Sequence, residues 1–211
     1  MKNPKTNDLV KLSFFVAIIV LLAVTPFLGY IPLGFTRATI IHIPVIIGSI
    51  MLGPFYGAFL GFVFGLTSLI NNTFNPTVTS FVFTPFYSLG TYSGNFWSLV
   101  ICFVPRILVG VVPHYVYRGM KKVKSNDVMA LGFAGVAGSL TNTLLVMNFI
   151  YLFFGQSYAE VKNVAVSTLY GVILSVIAIN GIPEAIVAGI LTTAICKALL
   201  RYTGKSVLHI E

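Results

Sequence analysis

Long uninterrupted runs of apolar residues, separated by short stretches rich in glycine, proline and polar residues, set the pattern of this chain. A helix of about 20 apolar residues crosses the ~30 Å hydrocarbon layer of a bilayer, and several of these runs reach that length. The runs are continuous rather than alternating with period two, which argues against a transmembrane β-barrel. The pattern predicts an all-α integral membrane protein, a single domain over residues 1–211, with six transmembrane helices at about 9–29, 38–52, 55–70, 96–117, 128–154 and 166–200.

The last apolar run is too long for one simple crossing and is interrupted at Gly181 and Pro183. A hairpin there would place Glu184 at a turn inside the lipid, where a charge is costly. We therefore expect a single helix with a kink or an outer extension.

The distribution of charge predicts the orientation. Of the 211 residues, 57% are hydrophobic and 9% are charged, whereas soluble domains carry roughly 25% charged residues. With the N-terminus in the cytoplasm, the opposite side holds only Arg37 and Lys162. The cytoplasmic side then collects Lys2, Lys5, Lys11, Arg118, Lys121, Lys122, Lys124, Lys197, Arg201 and Lys205. By the positive-inside rule both termini are predicted to lie in the cytoplasm, with the chain in the plasma membrane. This asymmetry also accounts for the net charge of +8, so no nucleic-acid partner is expected.

Motifs for covalent chemistry are missing from the sequence. Cys102 and Cys196 both fall inside apolar runs, so neither a disulfide framework nor a metal cluster is indicated. The histidines do not have HExxH spacing, and residues 203–206 (TGKS) lack the first glycine of a phosphate-binding loop, since Leu199 occupies that position. We expect no metal, no cofactor and no catalytic residues, and we expect ATP hydrolysis to reside on partner subunits.

Four polar residues fall at membrane depth in three predicted helices: Arg106, Asn142, Asn180 and Glu184. Counted along ideal helices, they lie roughly 18–25 Å from the inner boundary, and Asn180 and Glu184 share one helix face. A charge in this layer is costly unless it is paired or faces a cavity. One interpretation is a pocket open to the outside in which Arg106 meets an anion. The alternative is an Arg106–Glu184 ion pair that only ties the helices together.

The uncharged polar stretch 71–94, which contains Asn72, is either a cover over such a pocket or an ordinary solvated loop. Arg37, at the outer mouth of span two, either steers anions inward or extends to the lipid headgroups.

Small residues spaced four apart indicate close helix packing. Span three has Gly57, Gly61 and Gly65, and the last span has Gly181, Ala185 and Gly189. These rows pack either within the chain or against a partner subunit. Span one carries a weaker pair, Ser13 and Ala17.

Residues 43–48 (IPVIIG) and 52–61 (LGPFYGAFLG) resemble the signature of the substrate-capture subunits of energy-coupling-factor (ECF) vitamin transporters. Residues 42–44 (HIP), 72–74 (NTF), 94–98 (GNFWS) and 103–110 (FVPRILVG) are most similar to the pantothenate branch. The resemblance implies a subunit that binds a vitamin near the outer face of the membrane. It then docks on a module of two ATPases and a transmembrane scaffold and topples to release the vitamin inside. The family's scaffold contact is an AxxxA face on span one, matched here by Ser13 and Ala17, where the serine departs from the pattern.

Together these observations give a candidate substrate site of Arg106, Asn142, Asn180, Glu184, Asn72, His42 and Arg37. Pantothenate suits this set, because its carboxylate needs a cation and its amide and hydroxyls need neutral polar partners. Riboflavin, folate or thiamine remain open, since 18 Phe and 10 Tyr offer stacking surfaces. A self-sufficient secondary transporter with an Arg106–Glu184 relay is the alternative from another class, although no internal repeat is evident. A membrane enzyme using Glu184 or His42 as a base lacks the necessary motif.

Overall fold

A computed structural model describes residues 4–25, 30–33 and 36–203, and the side chains of residues 6–25 and 39–201. This part of the chain is mostly helical, with two short hairpins. The helices are α1 Pro4–Val24, α2 His42–Leu52, α3 Pro54–Phe74, α4 Phe96–Val109, α5 Val112–Lys122, α6 Asp127–Val161, α7 Leu169–Val176 and α8 Ile182–Thr203. The strands are β1 Tyr30–Leu33, β2 Thr36–Thr39, β3 Ser88–Leu89 and β4 Tyr92–Ser93.

Five helical stretches of the described chain are long and apolar enough to cross a membrane: Thr6–Val24, Pro54–Phe74, Phe96–Lys122, Asp127–Val161 and Val166–Arg201. The apolar helix α2 is shorter, at 11 residues. Large apolar side chains remain exposed on the outside of the bundle, such as Phe55 at 81% and Ile179 at 71%. Such a surface fits a lipid environment rather than water. A sixth crossing through α2 stays a prediction.

Two antiparallel hairpins occur where the sequence pattern indicates only loops or helix. β1 pairs with β2, and β3 pairs with β4. The predicted second span begins at Ala38, but residue 38 lies in β2 and α2 begins at His42. Pro44 falls in the first turn of α2, where the missing N–H of a proline costs the helix no hydrogen bond. Most of the predicted first span lies in α1, and its last residues, 26–29, lie outside the described residues.

Prolines account for two further departures from regular helix. The predicted fourth span is divided into α4 and α5 at Gly110, because Pro113 cannot donate an N–H to the carbonyl of Val109. In the last apolar run, a π-helical turn at Ile177–Gly181 joins α7 to α8 in one continuous helical path. Pro183 follows this turn, and its ring disfavours regular α-helix over the preceding turn.

Glycines bring the central helices into close contact. A Cβ added at Gly61 would collide with the backbone carbonyl of Arg106, and one at Gly57 with that of Gly110. Glycine therefore lets α3 pack directly against the α4–α5 segment. In the last span, a Cβ at Gly181 would lie 2.8 Å from Thr143 Cγ2, so this position packs against α6. Both small-residue rows thus face helices of the same chain.

Helix α6 lies between the two halves of the bundle. It packs against α4 and α5 on one side and against α8 on the other. It also extends past the predicted end at Phe154, where its backbone departs from helical geometry (φ −131°, ψ 17°), to Val161. This placement lets side chains of α6 line a space bounded by α3, α4 and α8.

Candidate functional site

A cavity of about 710 Å³ opens at the end of the bundle that holds the loop between α3 and α4. This volume lies within the range typical of small-molecule sites, about 300–1,000 Å³. The walls combine apolar side chains with polar groups from the helices and from the connection between α3 and α4. The lining residues are Thr39, Phe64, Ser68, Asn72, Pro76, Thr77, Val78, Thr79, Phe83, Tyr87, Arg106, Asn142, Thr143, Val146, Met147, Ile150, Tyr158, Val176, Asn180 and Glu184.

Arg106 places a positive charge in this wall while remaining 7% exposed. Its Nη1 donates a hydrogen bond of 2.7 Å to the carbonyl of Ile101. In a regular helix that carbonyl would accept from residue 105, but Pro105 has no N–H to donate. The proline therefore leaves a carbonyl that the guanidinium can use. One end of the arginine is held by its own helix.

Aromatic rings surround the guanidinium. The Cζ atom of Arg106 lies 5.7 Å from the ring centre of Phe64 and 5.3 Å from that of Phe83. Contacts of this length over a ring face stabilise a cation at a desolvated site. A planar guanidinium held in this way can still present a fork of N–H donors to a carboxylate.

Glu184 faces the cavity from α8, and its Oε1 accepts a 2.9 Å hydrogen bond from the backbone N–H of Thr39 at the end of β2. The Thr143 hydroxyl of α6 also lies beside this carboxylate. Within the described residues the ion pairs are Lys11–Asp8 and Lys121–Asp127, and Glu184 is not ion-paired with Arg106.

Asn142 and Asn180 add two further side-chain amides to the wall, besides that of Asn72. Asn142 of α6 is 6% exposed, and its Oδ1 has no hydrogen-bond partner among the residues that the structure describes. Asn180 lies in the π-helical turn. Such turns are rare and often occur at functional sites. A buried amide oxygen without a donor costs free energy, and a donor on a bound molecule would remove that cost.

Hydrogen bonds hold the connection between α3 and α4 against the cavity. Ser80 donates to Asn72 Oδ1 at 2.8 Å, and the Thr73 and Thr84 hydroxyls lie 2.7 Å apart. Farther along, the Tyr92 hydroxyl donates to Glu160 Oε2 at 2.5 Å. This hydrogen bond raises the pKa of the Tyr92 phenol. The connection is therefore an ordered cover rather than a free loop.

The structure brings five of the predicted site residues to this cavity: Asn72, Arg106, Asn142, Asn180 and Glu184. It places His42 elsewhere, 1% exposed at the start of α2, and His42 does not line the cavity. Arg37 lies in β2, opposite Pro32 of β1, but its side chain is outside the described part of the structure.

The sequence patterns missed the apolar part of the wall, including Phe64, Phe83, Met147 and Tyr158. An apolar residue in an apolar helix carries no signal that separates a cavity wall from a lipid-facing side.

Ser13 and Ala17 lie on the exposed side of α1, away from this cavity. They line a shallow, open and mostly apolar groove that also includes Leu12, Val16 and Phe59. The Ser13 hydroxyl donates to the carbonyl of Leu9 at 3.0 Å, so it adds no free polar group to the groove.

Comparisons with known proteins agree on one family. Residues 7–196 match the family model described as ECF transporter, substrate-specific component. The chain is 42% identical over 208 residues to the pantothenic acid transporter PanT of Lactococcus lactis, covering 98% of this chain and 100% of that protein. It is 33% identical over 206 residues to the pantothenate transporter PanT of Leuconostoc mesenteroides, covering 95% of each.

A solved structure shares the fold. The S-component for biotin from an ECF-type ABC transporter superposes with a TM-score of 0.57 at 19% identity, over 93% of this chain and 95% of that one. With the apolar helices described above, these matches identify a multi-pass protein of the plasma membrane. The chain belongs to the substrate-specific components of ECF transporters.

Proposed function

We propose that this chain captures pantothenate from outside the cell and delivers it across the membrane together with a separate ATP-hydrolysing module. The observation that carries the proposal is the buried arginine in the cavity wall. Arg106 lies in a mostly apolar cavity that also contains Asn142 and Asn180, and two relatives that cover nearly the whole chain are named as pantothenate transporters.

The chemistry of the cavity matches the parts of this vitamin. A carboxylate meets the Arg106 guanidinium, in the bidentate geometry that arginine favours. The amide and the two hydroxyls meet neutral polar groups such as Asn142, Asn180 and Asn72. The gem-dimethyl group suits apolar lining residues such as Val146, Met147 and Ile150.

The proposal includes the finer features of the family's mechanism. These are six crossings with both termini in the cytoplasm, ATP hydrolysis on two partner subunits, and a scaffold subunit that docks on α1 at Ser13 and Ala17. Arg37 is proposed to act at the outer mouth. His42 stays in the proposed set of site residues, although its side chain is buried at the start of α2 and does not line the cavity.

The test is a titration of purified protein with a panel of vitamins, read by calorimetry and by fluorescence of Trp97. Trp97 stacks on Phe153 of α6 at 4.1 Å between ring centres. Ile150, which lines the cavity, lies about one turn from Phe153 on α6. Pantothenate is expected to bind at micromolar or lower concentration and to change this fluorescence. Saturable binding of riboflavin, folate, thiamine or biotin without binding of pantothenate would contradict the choice of ligand.

A further inference from the structure

The cavity presents opposite charges on two separate walls. Arg106 is on α4, which packs against α3 and α6, whereas Glu184 is on α8, which packs against α6 and α2. Helix α6 lies between them and contributes Asn142 and Thr143. Because the two charges do not pair with each other, a molecule between them meets a cation at one end and an anion at the other.

The wall around Glu184 offers hydrogen-bond acceptors. A carboxylate has about four lone-pair sites. The N–H of Thr39 and the hydroxyl of Thr143 account for two of them, so acceptor capacity is left for a ligand. The Oδ1 of Asn142 is a further acceptor that has no partner within the described residues. This wall therefore favours a ligand end that donates protons, as two hydroxyl groups do.

We propose that Glu184 sets the direction of the ligand and makes the cavity select the free vitamin over the form phosphorylated on its terminal hydroxyl. This inference rests on the proposed function. The carboxylate of pantothenate lies at Arg106, and the hydroxyl-bearing end lies between Glu184 and Asn142. Glu184 acts here as a specificity-determining residue rather than as half of an ion pair with Arg106.

Phosphorylation would change that end of the ligand in two unfavourable ways. A phosphate monoester carries a charge of about −1.5 to −2 at pH 7, and it adds three acceptor oxygens in place of a donor. Like charges placed together at a binding interface are strongly unfavourable. The acceptors of Glu184 and Asn142 would then face acceptors on the ligand, with no proton between them.

The test uses Glu184→Gln in the full-length protein. Glutamine keeps the shape and an oxygen that can accept from Thr39, while it removes the charge. The affinities for pantothenate and for pantothenate phosphorylated on its terminal hydroxyl are measured by calorimetry. The matched control is Asp127→Asn, which removes an acidic charge in the first turn of α6, outside the cavity.

The wild type is expected to prefer the free vitamin strongly, and Glu184→Gln is expected to reduce that preference at least about tenfold, mainly by tighter binding of the phosphorylated form. Asp127→Asn is expected to leave the preference unchanged. An unchanged preference in a monodisperse Glu184→Gln protein would overturn the inference. A wild type that binds no pantothenate would instead contradict the proposed function.

A second measurement needs no variant of Glu184. Wild-type protein is titrated with pantothenate whose terminal hydroxyl carries a neutral methyl group. If charge and acceptor chemistry set the exclusion, this ether binds at least about tenfold more tightly than the phosphorylated form. Equal rejection of both would show that the end of the cavity excludes them by size, and the role assigned to Glu184 would be wrong.

The orientation of the bound ligand is tested with an alcohol analogue of pantothenate, in which a hydroxymethyl group stands in place of the carboxylate. Arg106→Gln is expected to weaken pantothenate binding at least about tenfold while changing the affinity for this neutral alcohol much less. An equal loss for both ligands would contradict the placement of the carboxylate at Arg106.

Discussion

Arg106 shows how one residue can be both buried and oriented. Its charge lies in a cavity wall, its Nη1 donates to the carbonyl of Ile101, and two aromatic rings flank its guanidinium. These contacts hold the cation in place, and among the described ion pairs none joins it to a carboxylate. An anionic ligand at this wall would meet a guanidinium whose orientation is already set, so the arginine is preorganised for binding.

Substitution of Arg106 tests this directly. Arg106→Gln is expected to cost roughly 2–5 kcal/mol of pantothenate affinity, the range for truncating one partner of a buried charge pair. Arg106→Lys should also weaken binding, because an ammonium cannot reproduce the planar fork. Calorimetry and thermal unfolding are measured together, with Arg118→Gln, an exposed arginine on α5, as the control. If Arg106→Gln combined with Glu184→Gln kept native affinity and stability, Arg106 would not belong to the site.

Pro105 provides a second test at this scale. Pro105→Ala restores an N–H that can donate to the Ile101 carbonyl and so competes with the guanidinium. We expect the free energy of unfolding to rise by up to about 3 kcal/mol, the usual cost of a proline inside a helix. Affinity for pantothenate should fall. Pro113→Ala, in the first turn of α5, should leave affinity unchanged. A Pro105→Ala protein with native affinity would show that the carbonyl does not position Arg106.

Single residues were predictable where the membrane makes them costly. Arg106, Asn142, Asn180 and Glu184 stand out because polar groups at that depth need a partner or a cavity. Their partners could not be predicted in the same way. The Ile101 carbonyl and the Thr39 N–H are backbone groups. Their availability depends on a proline and on a hairpin, which residue type alone does not reveal.

At the scale of elements, the contact between α3 and α4 both packs the bundle and positions the binding site. Gly61 of α3 faces the backbone of Arg106 and Ile107, with a Cβ at this position only 2.8 Å from Ile107 Cα. The backbone of the segment that carries Arg106 thus packs directly against a glycine. Any side chain at Gly61 must push α4 away from α3 and shift Arg106 with it.

Gly61→Ala is therefore expected to affect both stability and binding. The free energy of unfolding should fall by roughly 1–3 kcal/mol, as for other overpacked positions, and pantothenate affinity should fall as well. Gly171→Ala is the matched control, since a Cβ there meets no heavy atom of the described residues within 4 Å. That variant should gain about 0.5–1 kcal/mol. Both variants are measured by thermal unfolding and calorimetry. Native affinity in Gly61→Ala would show that close packing at this position is not needed for binding.

The groove on α1 offers a different test, because it is remote from the cavity. Ser13→Leu or Ala17→Trp should abolish uptake into cells and leave binding intact, since bulky side chains block close approach of a scaffold helix. Phe14→Leu, exposed on the same helix but outside the groove, should transport normally. Uptake that persists in both groove variants, or in cells without the ATPase subunits, would favour a secondary transporter.

Elements were predictable in proportion to their apolar length. The long helices follow from uninterrupted apolar runs, and Gly53–Pro54 correctly separates α2 from α3. The β1–β2 and β3–β4 hairpins were not predicted, because strands of two to four residues leave no periodicity to detect. The extension of α6 past Phe154 was also missed, although it supplies Tyr158 to the cavity and Glu160 to the cover.

The whole molecule is polarised along the bundle. The end with the α3–α4 connection carries an uncharged, hydrogen-bonded cover over the cavity. At the other end, the last turns of α5 and its connection to α6 carry Arg118, Lys121, Lys122 and Lys124. Basic residues concentrate on the cytoplasmic side of membrane proteins. The cavity is thus predicted to open to the outside, which is the side from which a nutrient arrives.

Cysteine labelling tests this orientation. Thr91→Cys and Ser167→Cys are expected to react with a membrane-impermeant maleimide in intact cells, and Lys122→Cys only after the membrane is opened. The background replaces Cys102 and Cys196, which are both buried, with alanine. Reaction of Lys122→Cys in intact cells, with Thr91→Cys and Ser167→Cys protected, would reverse the orientation. Reaction of all three positions there would contradict the six crossings.

The hydrogen bond between Thr39 and Glu184 has a consequence for the synthesis of the protein. It joins positions 145 residues apart. At the ribosome's rate of about 5–20 residues per second, Glu184 is synthesised roughly 7–30 s after Thr39. The first hairpin is therefore synthesised long before the residue that later holds its end. The binding cavity is completed only when the final helix arrives, so a nascent chain that stalls before it has no finished site.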